Sequence, residues 1–249
     1  MSLETHLQDV RTRMMTVELL KTAKKRYTYR ELSIKTGLPI TVLSRYVKGH
    51  VLPTTKRSRK ILSTLDVMIS LEEELRKRVK FDELGYFDNT GIVCDLPLLN
   101  QAAQHILRKL AGKRITRVMT AAVDGVPLAT IIAGALGVDL VIAKRSKEVG
   151  VREFFEESYI PSDSAMIMAY YVPRISLKKG DSVLIVDDVV RSGETQRALV
   201  NIIRKARAEV AGIFALVAVG KEWKRKFLDV PQFPMEVILE VGSPTPSSV

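Results

Sequence analysis

The sequence predicts an α/β chain in which a doubly wound, mainly parallel sheet follows a small all-α N-terminal domain. Three observations carry that expectation. From residue 98 onward, short apolar runs alternate with stretches of helical period, the pattern of a parallel sheet covered by helices. Within that alternation, VLIVDDVVRSGET at Val183–Thr195 joins an apolar strand to a helix through two acids and a small-residue turn. Ahead of it, the first third of the chain is strongly basic and has the spacing of short packed helices.

Composition bounds the reading. With 249 residues, 46% of them hydrophobic, the chain can hold one core of ordinary domain size and a smaller unit. Residues 1–80 contain 18 Lys+Arg against 8 Asp+Glu, whereas residues 81–249 contain 21 against 20, so nearly all of the formal charge of +11 lies at the front. Such segregation is the footprint of a nucleic-acid module joined to a near-neutral domain, and it makes double-stranded DNA the expected partner. A lone cysteine, Cys94, excludes an internal disulfide framework and fits a reducing compartment. No apolar run reaches the ~18 residues of a membrane span and MSLETHLQDV lacks a signal-peptide core, so a soluble, cytoplasmic protein with no membrane partner is expected. His6, His50 and His105 show no metal spacing, and no Ser/His/Asp order suggests hydrolysis.

Residues 1–56 read as a DNA-binding domain. YRELSIKTGLPITVLSRYV, Tyr29–Val47, has helix-turn-helix spacing: Leu32 faces the core from the first helix, Gly37 supplies the turn, and Leu38, Val42 or Leu43, and Val47 carry the apolar face of the second. Thr41 is a candidate N-cap of that second helix, with Pro39 and Thr36 leaving its start open by a residue or two. Its exposed side chains are then Thr41, Ser44, Arg45 and Lys48, types that reach base edges and phosphates, flanked by Tyr29, Arg30, Lys56 and Arg57. The segment as far as Pro53 resembles the Cro/repressor helix-turn-helix, with Ser33 where many such motifs have alanine. Residues 57–80 are expected to form one long linker helix. Ile61, Leu65, Met68, Leu75 and Val79 either pack on their own domain or form a homodimer seam that spaces two recognition helices.

Residues 81–241 carry the alternation. Leu98–Leu110 is an amphipathic helix, Ile115–Val123 a strand, Val126–Leu136 an apolar helix and Val138–Ala143 a strand. A long loop running to Asp163, with Phe154, Phe155 and Tyr159 among its acids, reads as a lid; Ala165–Val172 is the next strand. Ser182–Val186, a helix over Thr195–Ala208 and a strand over Ala211–Val219 follow, and residues 242–249 are expected to be a disordered tail. The ligand crevice of such a sheet lies past the carboxyl ends of its strands.

Those ends hold the candidate ligand residues. Asp187 and Asp188 can accept from a ribose diol or hold Mg²⁺, and the helix start after them offers unpaired N–H groups with the hydroxyls of Ser192 and Thr195. The motif resembles that of the type I phosphoribosyltransferases. The resemblance implies that Asp187 and Asp188 face ribose hydroxyls and that Arg191, Ser192, Gly193, Glu194 and Thr195 wrap the 5′-phosphate, with Val189 and Val190 between them counted among the ligand-binding residues. Glu194 departs from the Gly or other residue usual there, and a carboxylate so near a phosphate is unfavourable unless its side chain points to solvent. MTAAVDGVPLA, Met119–Ala129, resembles the pyrophosphate loop of orotate phosphoribosyltransferases through Ala122, Val123, Asp124 and Gly125, with Asp124 where a lysine commonly sits. Lys144 and Arg145, by resemblance, point toward ligand phosphates, and Trp223 either stacks on a base or packs in the core.

The whole arrangement resembles archaeal regulators of the GfcR kind and is analogous to the bacterial purine repressor. It implies a ligand-responsive, DNA-binding transcription regulator that senses a phosphorylated sugar or nucleotide, such as 5-phosphoribosyl diphosphate or a nucleoside monophosphate, without turnover. No cofactor is then required, although Mg²⁺ can accompany the ligand. The alternative is an active phosphoribosyltransferase of orotate or a purine base with an appended nucleic-acid-binding domain.

Overall fold

The computed structural model describes residues 3–161, 166–228 and 233–243. The chain divides into two units, Met1–Glu74 and Leu75–Val249. In the first, α1 (Leu3–Lys24), α2 (Tyr29–Thr36), α3 (Ile40–Val47) and α4 (Thr55–Met68) share one core, with Leu20, Leu32, Leu43 and Ile61 fully buried. Burial of each such side chain contributes about 1.5–3 kcal/mol. A reciprocal cap opens α2: the Thr28 hydroxyl accepts from Glu31 N at 3.2 Å, and the Glu31 carboxylate accepts from Thr28 N at 2.7 Å. Gly37 ends α2 in the left-handed region, at φ 67°. The Ser33 hydroxyl then donates across the turn to Leu38 O at 2.7 Å, a bond that alanine could not make.

Two expectations for this unit are corrected. Pro39, not Thr41, stands at the N-cap of α3, because its carbonyl already accepts from Val42 N and Leu43 N and its ring needs no donor there. Residues 57–80 do not form one helix: α4 stops at Met68, Ile69 is extended at φ −125° and ψ 82°, and α5 (Leu71–Arg76) starts anew. Ser70 causes the restart, since its hydroxyl accepts from Glu73 N at 3.3 Å. Of the expected seam, Ile61 and Leu65 are buried inside their own helical core and Val79 lies outside any helix.

In the second unit a short hairpin of β1 (Lys80–Phe81) and β2 (Phe87–Asp88) precedes α6 (Thr90–Val93) and α7 (Leu96–Lys109). Then follow β3 (Arg117–Ala121), α8 (Val126–Leu136), β4 (Asp139–Ala143), β5 (Phe154–Tyr159), β6 (Met168–Pro173), β7 (Ser182–Val190), α9 (Glu194–Lys205), β8 (Glu209–Val219) and β9 (Met235–Val241). The central sheet is five-stranded and parallel, in the order β4-β3-β7-β8-β9. Val183–Val186 is completely buried, as an apolar strand covered on both faces must be.

The expected lid and the strand after it are corrected. β5 occupies part of the stretch expected as loop, and β6 leaves the central sheet to pair with it antiparallel, Phe154 opposite Pro173 and Tyr159 opposite Met168. Its aromatic residues are strand formers, and a two-stranded ribbon buries them against α9 and β4. Ser162, Asp163 and Ala165, and the tail from residue 244, lie outside the described residues. β9 is an outer strand absent from the expected set, and its alternation of Glu236 and Glu240 with apolar neighbours is that of a half-covered edge. Ala122 and Val123 fall in a loop, while β7 runs four residues past its expected end at Val186.

Candidate functional site

The chain order reverses between β3 and β7, the point at which a parallel sheet opens a crevice. The β3–β7 ladder stops at Met119–Ile185, yet β7 stays paired to β8 as far as Val190–Ala218. The last turns of β7 are therefore held on one side and open on the other, and Asp187 and Asp188 sit there, 7% and 5% exposed. Asp187 accepts from Asp188 N at 3.0 Å through one oxygen and from the Gln196 side-chain amide at 2.5 Å through the other. Burial, and then the neighbouring Asp188 charge, hold the Asp187 carboxyl well above the ordinary carboxylate range. Asp188 accepts from the Asn89 amide at 2.7 Å, and the same nitrogen donates to Asp124 at 3.1 Å.

Two loops flank the acids. After β7, Gly193 turns the chain at φ 79°, and a β-carbon there would meet the Trp223 backbone and Cβ at 3.1 Å. α9 begins immediately, so its first N–H groups face the crevice. Thr195 meets the Tyr170 hydroxyl at 3.4 Å, Tyr170 stacks on Tyr159 at 5.8 Å, and the Arg145 guanidinium lies over the Tyr170 ring. Burial, reinforced by Tyr170, pushes the Tyr159 phenol up to about 12. After β3, Gly125 has no alternative: a β-carbon would stand 2.3 Å from Thr120 Oγ1 and 2.9 Å from Asp187 Oδ1.

A cavity of about 600 Å³ lies between these loops, a volume suited to one small ligand. It brings together Ala122, Val123, Asp124, Gly125, Arg145, Asp187, Asp188, Val189 and Arg191–Thr195. Three expected residues lie elsewhere. Val190 points into the core, Lys144 pairs with Glu148, and Trp223 is 4% exposed, packed under Gly193 and against Val190, Ala215 and Ala218. Trp223 is thus a floor beneath the turn, because Gly193 leaves just enough space for its backbone. Glu194 does not turn to solvent. Its side chain is about one-tenth exposed, accepts from the Ser192 hydroxyl at 3.0 Å and pairs with Lys226 at 3.4 Å.

Sequence reasoning missed Phe87, Asn89, Tyr159, Met168, Tyr170 and Gln196, which also line the cavity. Gln196 was within reach, since it lies one residue past the motif on the α9 turn facing back to Asp187. Asn89 is brought in by the hairpin of β1 and β2, and nothing near it in the sequence marks it. In the first unit, Arg30, Thr41, Arg45, Lys48, Lys56 and Arg57 are exposed and Ser44 is partly so. Tyr29 is half-buried against the helical core with Lys24 over its ring, and the Arg57 guanidinium reaches the Tyr46 hydroxyl at 3.1 Å.

Against this geometry, the model of the phosphoribosyl transferase domain matches residues 95–240. The chain belongs to the phosphoribosyl transferase family. The chain is 27% identical over 172 residues to the probable purine biosynthesis transcriptional regulator PurR of Streptococcus pneumoniae, covering 68% of the chain and 62% of that protein. It is 32% identical over 133 residues to the purine biosynthesis transcriptional repressor PurR of Bacillus subtilis, covering 53% and 47% respectively. The chain thus spans less than two-thirds of the length of these regulators. Xanthine phosphoribosyltransferase of Clostridium novyi is 30% identical over 152 residues, 60% of this chain and 79% of that one. The crystal structure of adenine phosphoribosyltransferase from Thermoanaerobacter pseudethanolicus superimposes with a TM-score of 0.61 at 17% identity, over 69% of this chain and all of that one, a likeness of fold. Residues before 95, Asn89 and Phe87 among them, lie outside the matched domain. Among the described residues no helix is long and apolar enough to cross a membrane.

Proposed function

We propose that the protein is a ligand-responsive, DNA-binding transcription regulator whose phosphoribosyl transferase domain senses a phosphorylated sugar or nucleotide, in the manner of the archaeal GfcR kind. One observation carries the reading: a single chain joins an open crevice of paired acids and helix N–H groups to a separate helical unit, Met1–Glu74, that has 14 Lys+Arg against 8 Asp+Glu, with Arg76, Lys77, Arg78 and Lys80 directly after it. The purine regulators among its relatives support it.

In this reading the ligand phosphate docks on the α9 N-terminus and the Arg191–Thr195 turn, and vicinal hydroxyls donate to Asp187 and Asp188. Docking requires Ser192 to release Glu194 and donate to the phosphate instead. Among the described residues no group of three metal-ligating side chains is placed to hold an ion, so any Mg²⁺ would arrive on the ligand's own oxygens. Thr41, Ser44, Arg45 and Lys48 of α3 would read bases and phosphates, while Arg30, Lys56 and Arg57 anchor the backbone. A homodimer would place two such helices on half-sites about 34 Å apart. The ligand regulates because it binds the DNA-competent and DNA-incompetent states with different affinity.

DNA binding should weaken by about 10³-fold or more between ~50 and ~200 mM salt if six or more phosphates are engaged, and should fall in Arg45→Ala. A flat salt response, or unchanged binding in Arg45→Ala, removes the DNA half. The second reading, an active transferase, is favoured by the xanthine phosphoribosyltransferase relative. Pyrophosphate release from 5-phosphoribosyl diphosphate with any of a panel of purine bases or orotate would decide for it.

A further inference from the structure

Asn89 stands outside the matched domain and yet reaches into its site. Its side-chain nitrogen donates to Asp188 at 2.7 Å and to Asp124 at 3.1 Å, so one amide ties the end of β7 to the loop after β3. Among the described residues it is the one side-chain N–H donor to Asp188, whereas Asp187 has Gln196. Local chemistry frees it for this contact. Asn89 precedes α6 but does not cap it with its side chain, because the Asp88 carboxylate accepts from Thr90 N at 3.0 Å instead. The terminal torsion of an aspartate is broad, so the plane of its carboxylate is set by the donors around it, and a sugar diol needs that plane held.

The element that carries Asn89 is small. β1 and β2 pair through two residues each, Lys80 with Asp88 and Phe81 with Phe87, and an isolated hairpin is marginally stable at best. Phe81 and Phe87 meet edge to face at 5.4 Å, Asp82 closes the turn by accepting from Tyr86 N at 2.7 Å, and Phe87 lines the cavity with Asn89. The hairpin's order therefore depends in part on its contacts with the site. In the chain it lies between Glu74, the last residue of the helical unit, and the start of the matched domain at residue 95.

Resting on the proposed sensor site, we infer that Asn89 is a positioning residue for that site: its amide fixes the orientation in which Asp188 meets the sugar diol, and ligand occupancy in turn orders the β1–β2 hairpin. The coupling is reciprocal, since whatever the hairpin adds to ligand binding the ligand adds to the hairpin. Occupancy is thereby registered in the stretch of chain that follows the helical unit.

The test is calorimetric titration of the full chain with ribose 5-phosphate and with 2-deoxyribose 5-phosphate, which lacks one hydroxyl of the diol, in the wild type, Asn89→Ala and the near-isosteric Asn89→Leu. The wild type should prefer ribose 5-phosphate about ten-fold, the effect of one hydrogen bond to a charged group. Both variants should lose most of that preference while binding of 2-deoxyribose 5-phosphate moves less than about two-fold. In the wild type, ribose 5-phosphate should also slow amide hydrogen exchange over residues 80–93 at least about three-fold, a readout that needs no variant. A variant that keeps the preference, an equal loss for both ligands, or exchange over residues 80–93 that ignores the ligand overturns the inference and leaves the sensor site standing. Failure of the wild type to bind either ligand, or to distinguish them, overturns the site itself.

Discussion

Replacing Gly125 by alanine puts a methyl group where the structure has no room. The new β-carbon would lie 2.3 Å from Thr120 Oγ1, 2.9 Å from Asp187 Oδ1 and 3.4 Å from Asp187 Cα. None of these neighbours is the free end of a flexible chain. Thr120 is fully buried and β-branched, and Asp187 is pinned by Gln196 and by its own following amide. The loop or the acid must therefore move, at a cost of about 1–3 kcal/mol as for other overpacked sites, equivalent to roughly 2–12 °C of melting temperature in a domain of this size. Thermal and urea unfolding of the full chain would measure it. Thr120→Ala removes the closest contact, so the double variant should recover at least about 1 kcal/mol relative to the sum of the single changes. A Gly125→Ala protein within about 0.5 kcal/mol of wild type, or strict additivity with Thr120→Ala, would refute the claim that this glycine is required by close approach.

Three further outcomes follow from the same geometry. Because Asp187 keeps its proton to a higher pH in the folded state than the ordinary value of 3.8, the folded chain binds more protons than the unfolded one above that pH, and stability falls as pH rises through the raised value. Asp187→Asn should flatten that slope and match or exceed wild-type melting temperature near neutrality, whereas parallel melting profiles between pH 4 and 8 would contradict it. Leu65→Ala should cost about 2–5 kcal/mol independently of protein concentration, because Leu65 is 1% exposed within its own helical core; a loss that disappears on dilution would restore the dimer seam. Thr28→Ala removes the reciprocal cap of α2 and should destabilise the first unit by about 0.5–2 kcal/mol, read by circular dichroism on urea titration.

What the residues disclosed without coordinates were the local features. The apolar run Val183–Val186, the acids after it and the glycine turn describe a strand, a crevice and a helix start by short-range chemistry alone, and Leu32, Gly37 and Leu43 do the same for the paired short helices. The Ser70 restart was equally local but hidden, since the apolar positions at 61, 65 and 68 continue in helical phase on to Leu75 and make a broken helix look continuous. Pairing and depth were decided in three dimensions. Whether β6 joined the central sheet or the β5 ribbon, whether Trp223 faced a ligand or supported Gly193, and whether Glu194 met solvent or Lys226 each depended on partners distant in the chain. Asn89 shows the limit most plainly: its amide acts on Asp188, 99 positions away, and only the folded hairpin places it there. A sequence fixes backbone preference and apolar period within a few turns, but the charge that a carboxylate carries and the company it keeps depend on burial, which belongs to the fold as a whole.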